Sequence, residues 1–167
     1  FPLSAIILND RMFEPIADES NKIGVLGHGF TAGGHPVGSA IALENLKIIE
    51  ERGLVAHAAE LGAYMQGKLR ELASHPLVGE VRGVGMIAAL ELVIDKQRKT
   101  AAATPGAVGG IASRMLQERG VISRNMLDAI AICPPLIVTK SQIDELVAAI
   151  SGVLNDMKAE VAKLTPA

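Results

Sequence analysis

Val78-Gly79-Glu80-Val81-Arg82-Gly83-Val84-Gly85-Met86-Ile87-Ala88-Ala89-Leu90-Glu91-Leu92-Val93 breaks the period of the residues before it. Upstream, Leu54, Ala58, Leu61, Met65, Leu69 and Leu72 mark one stripe of a helix, and His75-Pro76 stops it. Within 78–93 the apolar residues sit among Gly79, Gly83 and Gly85, which predicts one or two strands with a glycine bend. A helix feeding strands in this way sets the fold class as mixed α/β.

On the N-terminal side, the apolar run at 5–8, between Pro2 and Asn9-Asp10, reads as a short buried strand. Residues 13–27 read as a short helix and loop. Residues 37–52 carry a helical pattern, with Pro36 suited to its first turn and Gly53 to its end. On the C-terminal side, 95–104 reads as a polar surface loop. Thr104-Pro105 opens a third helix, capped by Gly120. Residues 121–123 and 129–133 are strand candidates around a turn at 125–128. Thr139 with Gln142 forms a capping-box start for the last helix, whose stripe runs from Ile143 to Val161. The sum is a small α+β domain with helices on one sheet face.

The chain has 167 residues, of which 49% are hydrophobic, enough for a real core. A net charge of -2 and 2% aromatics argue against nucleic-acid and anionic-membrane surfaces. One cysteine, Cys133, excludes an intrachain disulfide and a paired-thiolate zinc site, and fits a reducing cytoplasm. There is no basic n-region, and the run at 3–8 is too short for a signal peptide or a membrane span. The chain opens at Phe1 without an initiator Met and is expected to be part of a larger protein.

His28-Gly29-Phe30-Thr31-Ala32-Gly33-Gly34-His35-Pro36 is the first chemical candidate. A glycine-rich loop before a helix can offer backbone N–H groups and a hydroxyl to an anion such as phosphate. The alternative is that Thr31 only caps a helix or turn. His35 is expected to order the loop rather than to carry protons. His57 and His75 read as solvated, and Cys133 as buried packing. Gly83-Val84-Gly85-Met86 lacks the third glycine and the helix start of a nucleotide fingerprint.

Several segments carry a resemblance. Gly29-Phe30-Thr31 with Gly34-His35-Pro36, Phe1-Pro2-Leu3-Ser4-Ala5, Val81-Arg82-Gly83-Val84-Gly85-Met86 with Glu91-Leu92, and Gly120-Val121-Ile122-Ser123-Arg124 with Pro134-Pro135-Leu136-Ile137-Val138-Thr139 stand in order along the chain. Together they resemble the class III pyridoxal-phosphate-dependent aminotransferases, in wording most similar to the ω-amino acid (amine):pyruvate branch. The resemblance implies the C-terminal portion of a fold-type-I transferase. Residues 1–36 would end the large cofactor domain, 37–53 would form a connecting helix, and 54–167 would form the small domain.

The resemblance also implies roles. Thr31, beside Phe30, would bind the phosphate of pyridoxal 5'-phosphate held by the neighbouring subunit of a homodimer. Arg124 would bind the substrate carboxylate, a task suited to a forked guanidinium; otherwise Arg124 is a surface arginine at a strand end. The Schiff-base lysine of such enzymes would lie upstream of Phe1, so no catalytic residue is assigned within these residues and the chain alone is expected to be inactive. The implied reaction moves an amino group from an ω-amino acid or amine to a keto acid such as pyruvate. Aminomutase, decarboxylase or racemase chemistry on the same scaffold, and a non-catalytic α+β association domain, remain the alternatives.

Overall fold

A computed structural model describes residues 2–164. Phe1, the first residue of one resembling segment, lies outside the described residues. The chain divides into two compact units, Phe1–Arg52 and Gly53–Ala167.

The first unit holds two helices. α1 spans Asp10–Ile23; the Asn9 side chain caps it by accepting from the Met12 N–H at 3.1 Å, and Gly24 ends it at φ 79°. It is longer than the short helix expected, because Asn9 supplies a start three residues before the charged stretch does. α2 spans Pro36–Glu51, with Pro36 in its first turn as expected. The strand expected at 5–8 is absent: these residues form no ladder, and Ile7 is 95% exposed. A strand needs a neighbour for its N–H and C=O groups and a layer for its side chains, and no described residue of this unit provides either.

The second unit carries the core. Gly53, at φ 58°, takes the left-handed conformation between α2 and α3 (Leu54–Glu71). A 3-10 turn, Leu72–Ser74, follows, and then β1 (Val78–Val84) and β2 (Ile87–Leu92) form an antiparallel hairpin across Gly85 and Met86. α4 covers Ala107–Glu118, β3 Arg124–Met126, β4 Ala129–Ile132, α5 Lys140–Asp156 and α6 Lys158–Ala162. The sheet order is β1-β2-β4-β3, with every pair antiparallel. The mixed α/β class read from the sequence is the one observed.

Alternation decides which face is covered. Ala88, Leu90 and Leu92 are buried, whereas Ile87 between strands' ends is 61% exposed and Ala89 and Glu91 are half-buried. The covered face packs on Leu61, Met65 and Leu69 of α3, Val108, Ala112 and Leu116 of α4, and Ile143, Ile150 and Leu154 of α5. Each such buried side chain contributes on the order of 1.5–3 kcal/mol relative to exposure. The predicted stripe of α3 is thus the core stripe. The capping box of α5 is also present: the Gln142 N–H donates to Thr139 Oγ1 at 3.2 Å, and the Thr139 N–H donates to Gln142 Oε1 at 3.0 Å.

Gln66, 6% exposed, ties α3 to the hairpin by donating from Nε2 to the carbonyls of Gly85 and Ile87, each at 3.0 Å. Close approach requires glycine here. A Cβ on Gly62 would lie 2.7 Å from the Gly85 carbonyl carbon, and one on Gly83 would lie 2.4 Å from the Ile87 oxygen.

Three expectations shift. The third helix begins at Ala107 behind Gly106, not at Thr104-Pro105. The strand expected at 121–123 lies at Arg124–Met126, so Arg124 opens a strand rather than following one. The stretch 95–104 is not wholly surface: Ala102 is 8% exposed, and Asp95 and Thr100 form a bridge.

Candidate functional site

Two segments present the residues singled out above, one in each unit. In the first, the loop from His28 to His35 folds as consecutive turns. The Gly33 N–H donates to the Phe30 carbonyl at 2.9 Å, and the His35 N–H to the Ala32 carbonyl at 3.2 Å. Gly34 takes φ 71°, which favours glycine. Phe30 is 80% exposed and meets the His28 ring edge-on at 5.5 Å.

Capping of α2 falls to His35, whose Nδ1 accepts from the Val37 N–H at 3.2 Å. The structural role expected of His35 is therefore the one observed. Thr31 is exposed, and its hydroxyl has no hydrogen-bond partner among the described residues. A donor hydroxyl in a glycine-containing turn ahead of a helix N-terminus suits a phosphate oxyanion. The donor set therefore fits the phosphate group that the resemblance implies.

The second segment is the β3–β4 hairpin. The register places Arg124 opposite Ala131, Ala131 opposite Ala89, and Ala89 opposite Arg82. These four side chains share the face of the sheet that no helix of the core covers. Arg82 is neutralised there: its Nη1 lies 2.9 Å from Glu91 and 3.4 Å from Glu80. The Glu91 contact comes first in holding the Arg82 guanidinium above its ordinary pKa. Arg124 is exposed and makes no ion pair among the described residues. An unpaired guanidinium over a floor of two alanines can accept a carboxylate without first losing another.

Asp128, in the β3–β4 turn, is 5% exposed. Its carboxylate accepts from the Gly109 N–H at 2.9 Å and the Gly106 N–H at 3.1 Å, capping α4 from outside the helix. Sequence reasoning missed this residue, because the cap comes from about twenty positions away. The only trace was an acidic residue ahead of the buried Ala129-Ile130-Ala131-Ile132 run.

Other expectations change. Cys133 is exposed, not buried, because it stands one residue beyond β4, where the core alternation has ended. It lines a cavity of about 350 Å³ together with Ser123, Pro134 and Gln142. The Ser123 Oγ is buried there and has no partner among the described residues. His57 is partly buried, with Nε2 2.9 Å from the Val138 carbonyl. His75 is not solvated: its Nε2 is buried, and burial lowers its pKa. Among the described residues no cluster of His, Cys, Asp and Glu could hold a metal, and no helix is long and apolar enough to cross a membrane.

This mixed α/β arrangement, an antiparallel four-stranded sheet with helices on one face, is shared with solved pyridoxal-phosphate-dependent transaminases. The chain matches the family Aminotransferase class-III over residues 1–154 and belongs to it. This is a family of pyridoxal-phosphate enzymes. It is 40% identical over 161 residues to a putrescine–pyruvate aminotransferase of Pseudomonas aeruginosa, covering 96% of this chain and 34% of that protein. It superimposes at TM-score 0.87 and 60% identity on a transaminase solved with L-alanine, covering 92% of this chain and 36% of that one. An omega transaminase from Pseudomonas jessenii in complex with PMP matches at TM-score 0.86 and 48% identity, covering 93% of this chain and 34% of that one. The chain thus spans about a third of the length of the relatives it matches.

Proposed function

We propose that the protein containing this chain is a pyridoxal-phosphate-dependent aminotransferase that moves an amino group from an ω-amino acid or amine to a keto acid such as pyruvate. The observation that carries the reading is Arg124, exposed on the open sheet face and without an ion pair among the described residues, within a chain of this family. The similarity to a putrescine–pyruvate aminotransferase and to an omega transaminase supports that choice of substrates.

In this reading Thr31 donates its hydroxyl to the cofactor phosphate of the partner subunit in a homodimer, and Phe30 lies beside that group. Arg124 binds the carboxylate of the keto acid or amino acid and orients the carbon that exchanges nitrogen. The cofactor, when bound, stores the amino group between the two halves of the exchange. The lysine that carries the cofactor belongs upstream of Phe1, and this chain alone is inactive. Residues 1–36 end the cofactor domain, 37–53 connect, and 54–167 form the small domain. The protein works in the cytoplasm, in keeping with the single cysteine of this chain.

A coupled assay of the full-length protein with an amine and pyruvate tests the reading. Alanine should form in step with loss of the amine. A different cofactor-dependent reaction, without alanine, would assign the scaffold to decarboxylase, racemase or aminomutase chemistry.

A further inference from the structure

We propose that Asp128 is a positioning residue for the carboxylate-binding arginine: by fastening the β3–β4 turn to the N-terminus of α4, it sets where Arg124 stands. The proposal rests on the reading of Arg124 given above.

Arg124 opens a strand of only three residues at the edge of the sheet, paired on one side alone. Such a strand has few ladder bonds to hold it. Its turn holds Leu127 at φ 55°, a conformation unfavourable for a residue with a side chain. Something must hold that turn in place. Asp128 does so through the Gly109 and Gly106 N–H groups at 2.9 and 3.1 Å. These are donors that the helix itself cannot satisfy. Contact is tight on the other side too, since a Cβ on Gly109 would lie 2.0 Å from the Leu127 carbonyl oxygen. Helix, turn and edge strand therefore move as one piece. The consequence reaches substrate selection: a displaced Arg124 loses its grip on carboxylates while leaving amino acceptors without a carboxylate unaffected.

The test uses full-length enzyme and compares kcat/KM for pyruvate with that for a simple aldehyde acceptor. Asp128→Ala removes both acceptors. Asp128→Asn keeps the shape and one acceptor, and serves if the alanine variant does not fold. Either variant should raise KM for pyruvate about tenfold, with kcat and the aldehyde reaction within twofold of wild type. Equal losses on both acceptors, or no loss on either, overturn the proposal. Arg124→Ala is measured in parallel. If it leaves the pyruvate-to-aldehyde ratio unchanged, the reading of Arg124 itself is wrong. If it lowers the ratio while the Asp128 variants do not, only the positioning role is wrong.

Discussion

Arg82 and Arg124 stand on one row of the sheet, separated by Ala89 and Ala131, and of the two only Arg82 is paired with a carboxylate among the described residues. Three strand spacings put the two backbones roughly 14 Å apart. The same face thus holds one arginine that is neutralised by its own strand and hairpin, and one that is not. In the proposed reading, this difference makes Arg124 the one available to a substrate.

Replacing Arg124 by alanine should therefore discriminate between substrates. Hydrogen bonds to a charged group contribute about 1.5–3 kcal/mol, so a lost carboxylate grip lowers kcat/KM for pyruvate by about a hundredfold. Transfer to an acceptor without a carboxylate should change little. Arg124→Lys should recover only part of the loss, because an ammonium cannot form the fork. Steady-state kinetics with the two acceptors measure this.

Thr31→Val should weaken cofactor binding by the full-length protein about tenfold, the loss of roughly one hydrogen bond to phosphate. Thr31→Ser keeps the hydroxyl and should bind nearly as wild type. Cofactor titration followed by absorbance gives both constants. Equal affinities for the Val and Ser variants would show that the hydroxyl does not touch the phosphate.

Two neighbouring glycines of α4 should behave oppositely. Gly109→Ala places a Cβ 2.0 Å from the Leu127 oxygen, whereas a Cβ at Gly110 meets nothing within 4 Å. The first should cost about 1–3 kcal/mol or more through overpacking. The second should stabilise by up to about 1 kcal/mol, as alanine restricts the unfolded chain and favours helix. Thermal melts of the two variants compare them directly.

His75 makes stability depend on pH. Its Nδ1 accepts from the Leu77 N–H at 3.2 Å, its Nε2 is buried, and burial and then the Lys158 charge lower its pKa below the ordinary 6.5. The unfolded state therefore binds the proton more readily. The contribution is fully present above about pH 6.5 and fades as the pH falls through the lower folded value. Urea unfolding between pH 7.5 and 5 should show a steeper acid loss for the native protein than for His75→Gln; parallel curves would contradict this.

Local signals in the chain were readable where they were sufficient. Thr139 and Gln142 lie within one turn of each other, so the start of α5 could be placed from residue types alone. Gly53 and Gly120, at φ 58° and 77°, likewise marked helix ends. The core face of α3 followed from spacing. What could not be read depends on distant partners. The start of α4 is decided by Asp128, and nothing near Gly106 announces it. β3 is displaced by three residues because an edge strand has no buried alternation to fix its register. The apolar run at 5–8 has a strand's composition but no ladder partner among the described residues. At the candidate site, the family resemblance, not residue type alone, pointed to Thr31 and Arg124. That neither has a competing partner among the described residues became visible only in three dimensions.

The most direct measurement follows nitrogen itself. Full-length protein, cofactor, a ¹⁵N-labelled amine and unlabelled pyruvate are incubated, and the products are analysed by mass spectrometry. The account predicts [¹⁵N]alanine in equal amount to the aldehyde or ketone formed from the amine. Consumption of the amine with no label in alanine would contradict it.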